Sequence, residues 1–234
     1  MKLRVFQSDH GDCLLLTTAD GKNMLVDGGL NASFGKHVAP FLGTLHNAGE
    51  TLDIVYVSHI DEDHIQGILT LVDTKVAWKV HEFQTSEGLT PAKPRLPEPP
   101  DIAAVWHNGF GELIDDVTEP IEDVLSARAA AFSFSEALGG LGLASSNLAT
   151  SIRQGVQLSM RLAPEQLNIP LNPQFGGKLV MVRPGMGSIP FGSSQISVVG
   201  PFKTDVAILR KNWNEWLDAN EDALEQMRQK AQQD

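Results

Sequence analysis

The sequence predicts an α/β fold, and three observations carry that prediction: short apolar strands at the start, alternation of strand and helix after them, and one apolar strand ending abruptly in polar residues. Residues 2–7 (KLRVFQ), 13–18 (CLLLTT) and 22–27 (KNMLVD) have strand composition and are separated by SDHGD and ADG, both of which carry turn chemistry. A β-meander is expected there. After DGG, residues 34–48 read as a helix, TLDIVYVSH as a buried strand over 53–57, and 63–72 as a helix with acidic residues in its first turn.

Further along, residues 76–83 (VAWKVHEF) read as a strand, TPAKPRLPEPP as a surface loop because its prolines exclude regular structure, and 102–107 (IAAVWH) as a short strand. Residues 119–138 and 147–163 form a helical pair joined by the flexible ALGGLGLASSN, so a helical insertion or cap is expected around 119–163. The β pattern returns at 178–183 (KLVMVR) and 195–199 (QISVV), around a Gly/Pro-rich hairpin. From Thr204 onward the chain reads as one or two increasingly polar helices. This divides it into a main domain over 1–200 and a helical segment with linker over 201–234.

With 234 residues, 42% of them apolar, the chain can bury a sizeable core. A formal charge of −11 argues against broad attraction to nucleic acid or anionic membrane, although a bound metal can invert the sign of one site. The start has no positive region followed by an apolar stretch, and no run approaches the roughly 18 apolar residues of a membrane span. A cytoplasmic protein without a membrane partner is expected. Cys13 is the sole cysteine, so no internal disulfide can form, and its place in DCLLLTT predicts a small core residue.

The chemistry concentrates in SHIDEDHIQG, where two histidines and three carboxylates occupy residues 59–64. His59, Asp61, Asp63 and His64 leave the carboxyl end of a strand and enter a helix, the edge at which open α/β sheets place ligands. Imidazole and carboxylate together suit zinc, manganese or iron. Two ligand pairs on one loop can serve two ions about 4 Å apart. The alternative is that Asp61 or Asp63 caps the helix, with Glu62 opposing the macrodipole. A cap needs one carboxylate and no histidine, yet spacing alone leaves both readings open. His107, at a strand end beside Trp106, is either a further ligand or a packed residue. His81 falls in a strand and His37 and His46 on a helix, where structural or solvated roles are expected.

SHIDEDHIQG resembles the His-x-His-x-Asp-His loop of the metallo-β-lactamase fold hydrolases, with Asp61 standing where the second histidine usually stands. The form His-x-Asp-x-Asp-His-Ile-x-Gly is similar to the hydrolase domain of bacterial DNA-uptake channel proteins and their free-standing relatives. Those chains also open with a strand, a GD turn, an apolar strand and DGG, as HGDCLLLTTADGKNMLVDGG does here, so the resemblance covers residues 1 to about 72. It implies the first part of an αββα sandwich and a two-metal hydrolase. His59 and Asp61 would bind one ion and Asp63 and His64 the other, with Asp63 also orienting the attacking water. Asp27 would be the carboxylate that buttresses the metal loop. Asp12 and His10 would face the same cleft, although a simple hairpin turn explains them equally well. Asp61 adds charge and a hard oxygen donor, which shifts preference from zinc toward manganese while leaving zinc possible.

The resemblance also implies a later bridging Asp in a GD motif and a later His. Here the only GD is Gly11-Asp12, and no histidine follows His107. The expectation is therefore a portion completed by a C-terminal half of the same hydrolase fold, in another chain or a cleaved fragment, with DANEDALEQMRQKAQQD as a linker within reach of an activating protease. Three functions follow. One is a phosphodiesterase or nuclease, with Arg153, Arg161, Lys178 and Arg183 as candidates to line a nucleic-acid path. Another is a hydrolase of a small ester, thioester or cyclic nucleotide, with the insertion as a lid. The third is a degenerate module that binds a partner without catalysis.

Overall fold

Five strands build the central sheet of the computed structural model, which describes residues 1–108 and 139–219. β1 (Lys2–Val5), β2 (Leu14–Thr17) and β3 (Asn23–Val26) form the expected meander, antiparallel with Leu15 opposite Leu25. The chain then crosses the sheet through α1 (Asn31–Ser33), a π-helical turn (Phe34–Val38) and α2 (Ala39–Asn47). Pro40 cannot donate a backbone hydrogen bond, and the helix ahead of it widens into the π turn closed by the Ala39 amide on the Phe34 carbonyl.

After the short β4 (Thr51–Leu52), β5 (Ile54–Val57) lies parallel to β3. α3 (Glu62–Ser86) leads back to β6 (Asp101–Ile102), which pairs with β4, and to β7 (Val105–His107), parallel to β5. α4 (Gly139–Leu162), the hairpin of β8 (Ile189–Phe191) and β9 (Ser194–Ile196), and α5 (Lys203–Ala219) complete the described elements.

Period-two patterning places the core. Leu15, Leu25, Val55 and Val105 share one face of the sheet and pack with Phe34, Leu42, Ile65, Ile68 and Leu158 from the helices. Burial of each such side chain contributes about 1.5–3 kcal/mol. The opposite face, with Met24, Ile54 and Trp106, is covered by Phe175, Val180 and Phe191. Its β1 end stays open, with Leu3 56% and Val5 69% exposed. Cys13 is a core residue as expected, and burial pushes its thiol up to about 12, so it is inert as a nucleophile at neutral pH. Among the described residues no helix is long and apolar enough to cross a membrane.

Several expected elements differ. Residues 76–83 are helical, so His81 sits on a helix, with its ring edge-on to Trp78. Their β-branched and aromatic composition suggested a strand, but neither Gly nor Pro interrupts 68–87 and the helix runs on until Gly88. There, at φ 80°, a left-handed residue ends it: Leu89 donates to the Gln84 carbonyl and Gly88 to that of Thr85. The flexible joint is helical from Gly139 onward, and α4 is tied to α3 by the Arg161–Asp73 ion pair at 2.6 Å. Residues 178–183 form a loop. The hairpin is the tighter one at 189–196, whose turn docks on the β2–β3 turn through the Ser193 amide and Asp20 Oδ1 at 2.9 Å. Residues 119–138 of the expected insertion and 220–234 of the expected linker lie outside the described residues.

One backbone crossing fixes where α3 begins. A Cβ on Gly28 would come within 2.6 Å of the Gly67 Cα, and a Cβ on Gly67 would overlap the Gly28 carbonyl. Gly67→Ala, which would ordinarily gain about 1 kcal/mol in a helix, is expected here to cost about 1–3 kcal/mol through overpacking. Gly155→Ala, whose Cβ would meet Ile60 at an ordinary 3.4 Å, should be neutral or stabilising. Urea midpoints of the two variants check the contrast.

Candidate metal centre

Three loops meet at the carboxyl ends of the parallel strands: the β1–β2 turn around Gly11, the Asp27–Gly29 loop after β3, and Ser58–Asp61 after β5. They touch backbone to backbone. A Cβ on Gly11 would overlap the Asp63 carbonyl, and one on Gly29 would lie 2.6 Å from Ser8 Cβ. The Gly28 amide donates to the His64 carbonyl, and the Gly67 amide to the Gly29 carbonyl, both at 2.9 Å. Glycine is required at these contacts because no side chain fits between the loops.

Asp27 joins them. It is buried and left-handed, at φ 55°, a conformation that Asp tolerates better than most residues. Its Oδ1 accepts the Ser58 amide at 2.7 Å, and its Oδ2 accepts the Ser58 hydroxyl at 2.6 Å and pairs with His64 Nδ1 at 3.1 Å. With Nδ1 carrying the proton toward Asp27, His64 Nε2 is left as the lone-pair nitrogen. Ser58 in turn reaches His59 Nδ1 at 2.8 Å. One carboxylate thus orients the first and last histidines of the motif. Ser58 went unread as a site residue in the sequence. Its place between strand and first ligand is the signal that could have found it.

Within the motif, the His59 and His64 rings lie 3.8 Å apart between centroids. Asp61 Oδ2 is 3.6 Å from His59 Nε2, and Asp63 Oδ2 is 3.7 Å from His64 Nε2. Asp61 occupies the helix N-cap position, but its side chain makes no capping hydrogen bond. The capping alternative therefore leaves its carboxylate unexplained. Only its backbone carbonyl serves the helix, accepting His64 N–H at 2.9 Å. His10 and Asp12 are exposed on the turn that packs against Asp63, and among the described residues neither side chain hydrogen-bonds to the motif.

His107 ends β7 one strand away, opposite Val57. It is fully buried, burial pushes its pKa down to about 4, and among the described residues neither ring nitrogen has a hydrogen-bond partner. A neutral imidazole packed this way forfeits about 1–3 kcal/mol for its unpaired polar atoms. Packing beside Trp106 does not explain that cost. α4 lays Gly155 against it, the position of a Cβ there being 3.8 Å from His107 Nε2 and 3.4 Å from Ile60 of the motif.

Among the described residues, no three His, Cys, Asp or Glu side chains are gathered closely enough to hold an ion as they stand. The motif side chains instead touch in pairs. Their chemistry nonetheless fits a divalent ion: His64 Nε2 is the lone-pair nitrogen beside Asp63, the His59 and Asp61 side chains are 47% and 69% exposed, and the His107 nitrogens have no hydrogen-bond partner among the described residues. Asp27→Asn, which keeps the shape and the left-handed preference but loses the charge, is expected to weaken metal binding roughly 10–100-fold with the fold intact. Asp27→Ala should in addition lose stability by leaving the Ser58 amide unpaired. Competition titration against a chromogenic chelator and thermal unfolding measure the two effects.

The model of the metallo-beta-lactamase superfamily matches residues 8–126, just over half of the chain, and spans all three loops. No curated protein and no solved structure gives a match to the chain. By that match, and in keeping with the loop architecture just described, this chain belongs to the metallo-beta-lactamase superfamily, whose members are in general metal-dependent hydrolases.

Proposed function

We propose that the chain hydrolyses phosphodiester bonds with two divalent ions, His59 and Asp61 holding one, Asp63 and His64 the other, and His107 serving as an additional ligand. The observation that carries the reading is the oxygen-rich loop itself: two aspartates and two histidines at one strand end, buttressed by Asp27 through Ser58 and His64. When bound, such ions supply Lewis acidity for the phosphoryl oxygen and a lowered pKa for the attacking water. The likeness of the loop to that of DNA-uptake channel hydrolases supports a phosphodiester substrate.

The chain's own residues have separable tasks. Asp27 fixes the tautomer of His64 and, through Ser58, the ring of His59. Asp63, part-exposed at the loop, accepts a hydrogen from the attacking water and so aims its lone pair. Asp61, in place of a neutral donor, favours manganese over zinc. Of the basic residues expected to line a nucleic-acid path, Arg161 is engaged with Asp73 and Gln166, and Arg183 lies 3.4 Å from the Phe175 and Leu179 carbonyls. These two are committed to structure.

A small ester, thioester or cyclic nucleotide is the second reading, supported by the packing of Gly155 of α4 against Ile60 of the loop and His107. The open β1 end of the second sheet face, where Leu3 and Val5 are exposed, supports a completing segment of the same fold. A lone monomer binding two ions tightly would remove the need for that segment.

Chelator-treated protein is expected to be inert on bis(p-nitrophenyl) phosphate and single-stranded DNA, and manganese should restore activity better than zinc. Asp63→Ala and His64→Ala should each lower the rate at least about 100-fold with circular dichroism unchanged. Hydrolysis that survives chelation would contradict the reading, and turnover of thioesters but no phosphodiester would favour the second.

A further inference from the structure

We propose that Asn172 is a positioning residue for the candidate metal centre: its side-chain amide extends the β7 ladder by one residue and fixes where the His107 imidazole is presented. The inference rests on His107 being a ligand, as proposed above, and deepens that reading.

Among the described strands, β7 pairs with β5 on one side. On its other side, the Val105 amide donates to the Pro170 carbonyl at 3.0 Å, the Asn172 amide donates to the Val105 carbonyl at 2.8 Å, and Leu171 forms an isolated parallel bridge with Val105. The backbone then leaves the edge. Pro173 follows and opens a 3-10 turn (Pro173–Phe175), and Asn172 itself is left-handed at φ 47°, ψ 43°. A proline disfavours the right-handed region for the residue before it, and Asn accepts the left-handed one.

Where the backbone departs, the side chain takes over. The His107 amide donates to Asn172 Oδ1 at 2.9 Å, and Asn172 Nδ2 donates to the His107 carbonyl at 2.7 Å. A carboxamide offers one acceptor and one donor in a plane, much as a peptide group does. Asn172 is fully buried and so replaces the strand residue that would otherwise pair with His107. Asn108 repeats the device in reverse, its amide clasping both backbone groups of Val180 at 2.9 and 2.7 Å.

The clasp satisfies the His107 backbone without using its ring. Among the described residues both ring nitrogens stay unpartnered, and Gly155 of α4 packs beside Nε2. Rigid backbone and uncommitted imidazole together are what a pre-organised ligand requires. If the clasp merely closed the sheet edge, its loss would lower stability and leave metal binding by the folded protein unchanged.

A double-mutant cycle on the full chain, read by cobalt(II) affinity and the cobalt d–d spectrum, separates the two. Asn172→Gly keeps the left-handed backbone and deletes the clasp. It is expected to weaken cobalt binding roughly tenfold or more and to alter the spectrum, and to do neither when His107→Phe is already present. Should the glycine variant fail to fold, Asn172→Ser, whose shorter side chain cannot reach both His107 backbone groups and buries no charge, serves with the same expectations. Equal effects of Asn172→Gly in both backgrounds, or none in either while His107→Phe alone weakens cobalt binding, would overturn the positioning role. Unchanged cobalt binding by His107→Phe would instead overturn the ligand reading of His107 on which it rests.

Discussion

Asp27 is the point on which the sheet and the motif loop depend together. Its carboxylate is almost wholly buried and is matched by three donors: the Ser58 amide, the Ser58 hydroxyl and His64. A buried charge is tolerable only when so satisfied, and removing its partners would leave an uncompensated ion. The requirement runs both ways. Because Asp27 directly follows β3 and Ser58 directly follows β5, the parallel pairing of those strands delivers the donors to the acceptor, and the acceptor in turn sets how the motif leaves the sheet.

Close backbone packing supplies the remaining constraint. The first turn, the DGG loop and the start of α3 touch where Gly11, Gly28, Gly29 and Gly67 leave no room for side chains. Such contacts leave little freedom for the motif backbone, while the His59 and Asp61 side chains are exposed at its surface. A fixed loop that presents imidazole and carboxylate donors to solvent suits hard and borderline divalent ions. On the proposed phosphodiesterase reading, the local field at the loop would be set by bound cations rather than by the net charge of −11.

The parts of the fold legible in the sequence were those with strong local signals. The meander announced itself through alternating apolar residues between SDHGD and ADG, and the motif through its unusual density of ligand types. The α/β class followed, and the superfamily match agrees with it. The stretch 76–83 misled because valine, tryptophan and phenylalanine favour strands, while the absence of any breaker before Gly88 let α3 continue through them. KLVMVR at 178–183 misled for a similar reason: an apolar run without alternation fits a loop covering a sheet as well as it fits a strand. In the site, Asp27 came to notice only through the resemblance that DGG helps to carry, and its hydrogen bonds to Ser58 and His64 are what the structure adds. Asn172 was not legible, because Asn before Pro signals only a turn, and its partner His107 lies 65 positions earlier in the chain.

The central claim is that the Asp27-buttressed loop binds divalent metal. It is tested most directly by an anomalous difference map from crystals of the chain soaked in manganese. The account predicts density within coordinating distance, about 2.1–2.3 Å, of His59, Asp61, Asp63 or His64, with the hydrogen bonds from Ser58 and His64 to Asp27 unchanged. Manganese bound elsewhere, with the four motif side chains still paired only with one another, would contradict it.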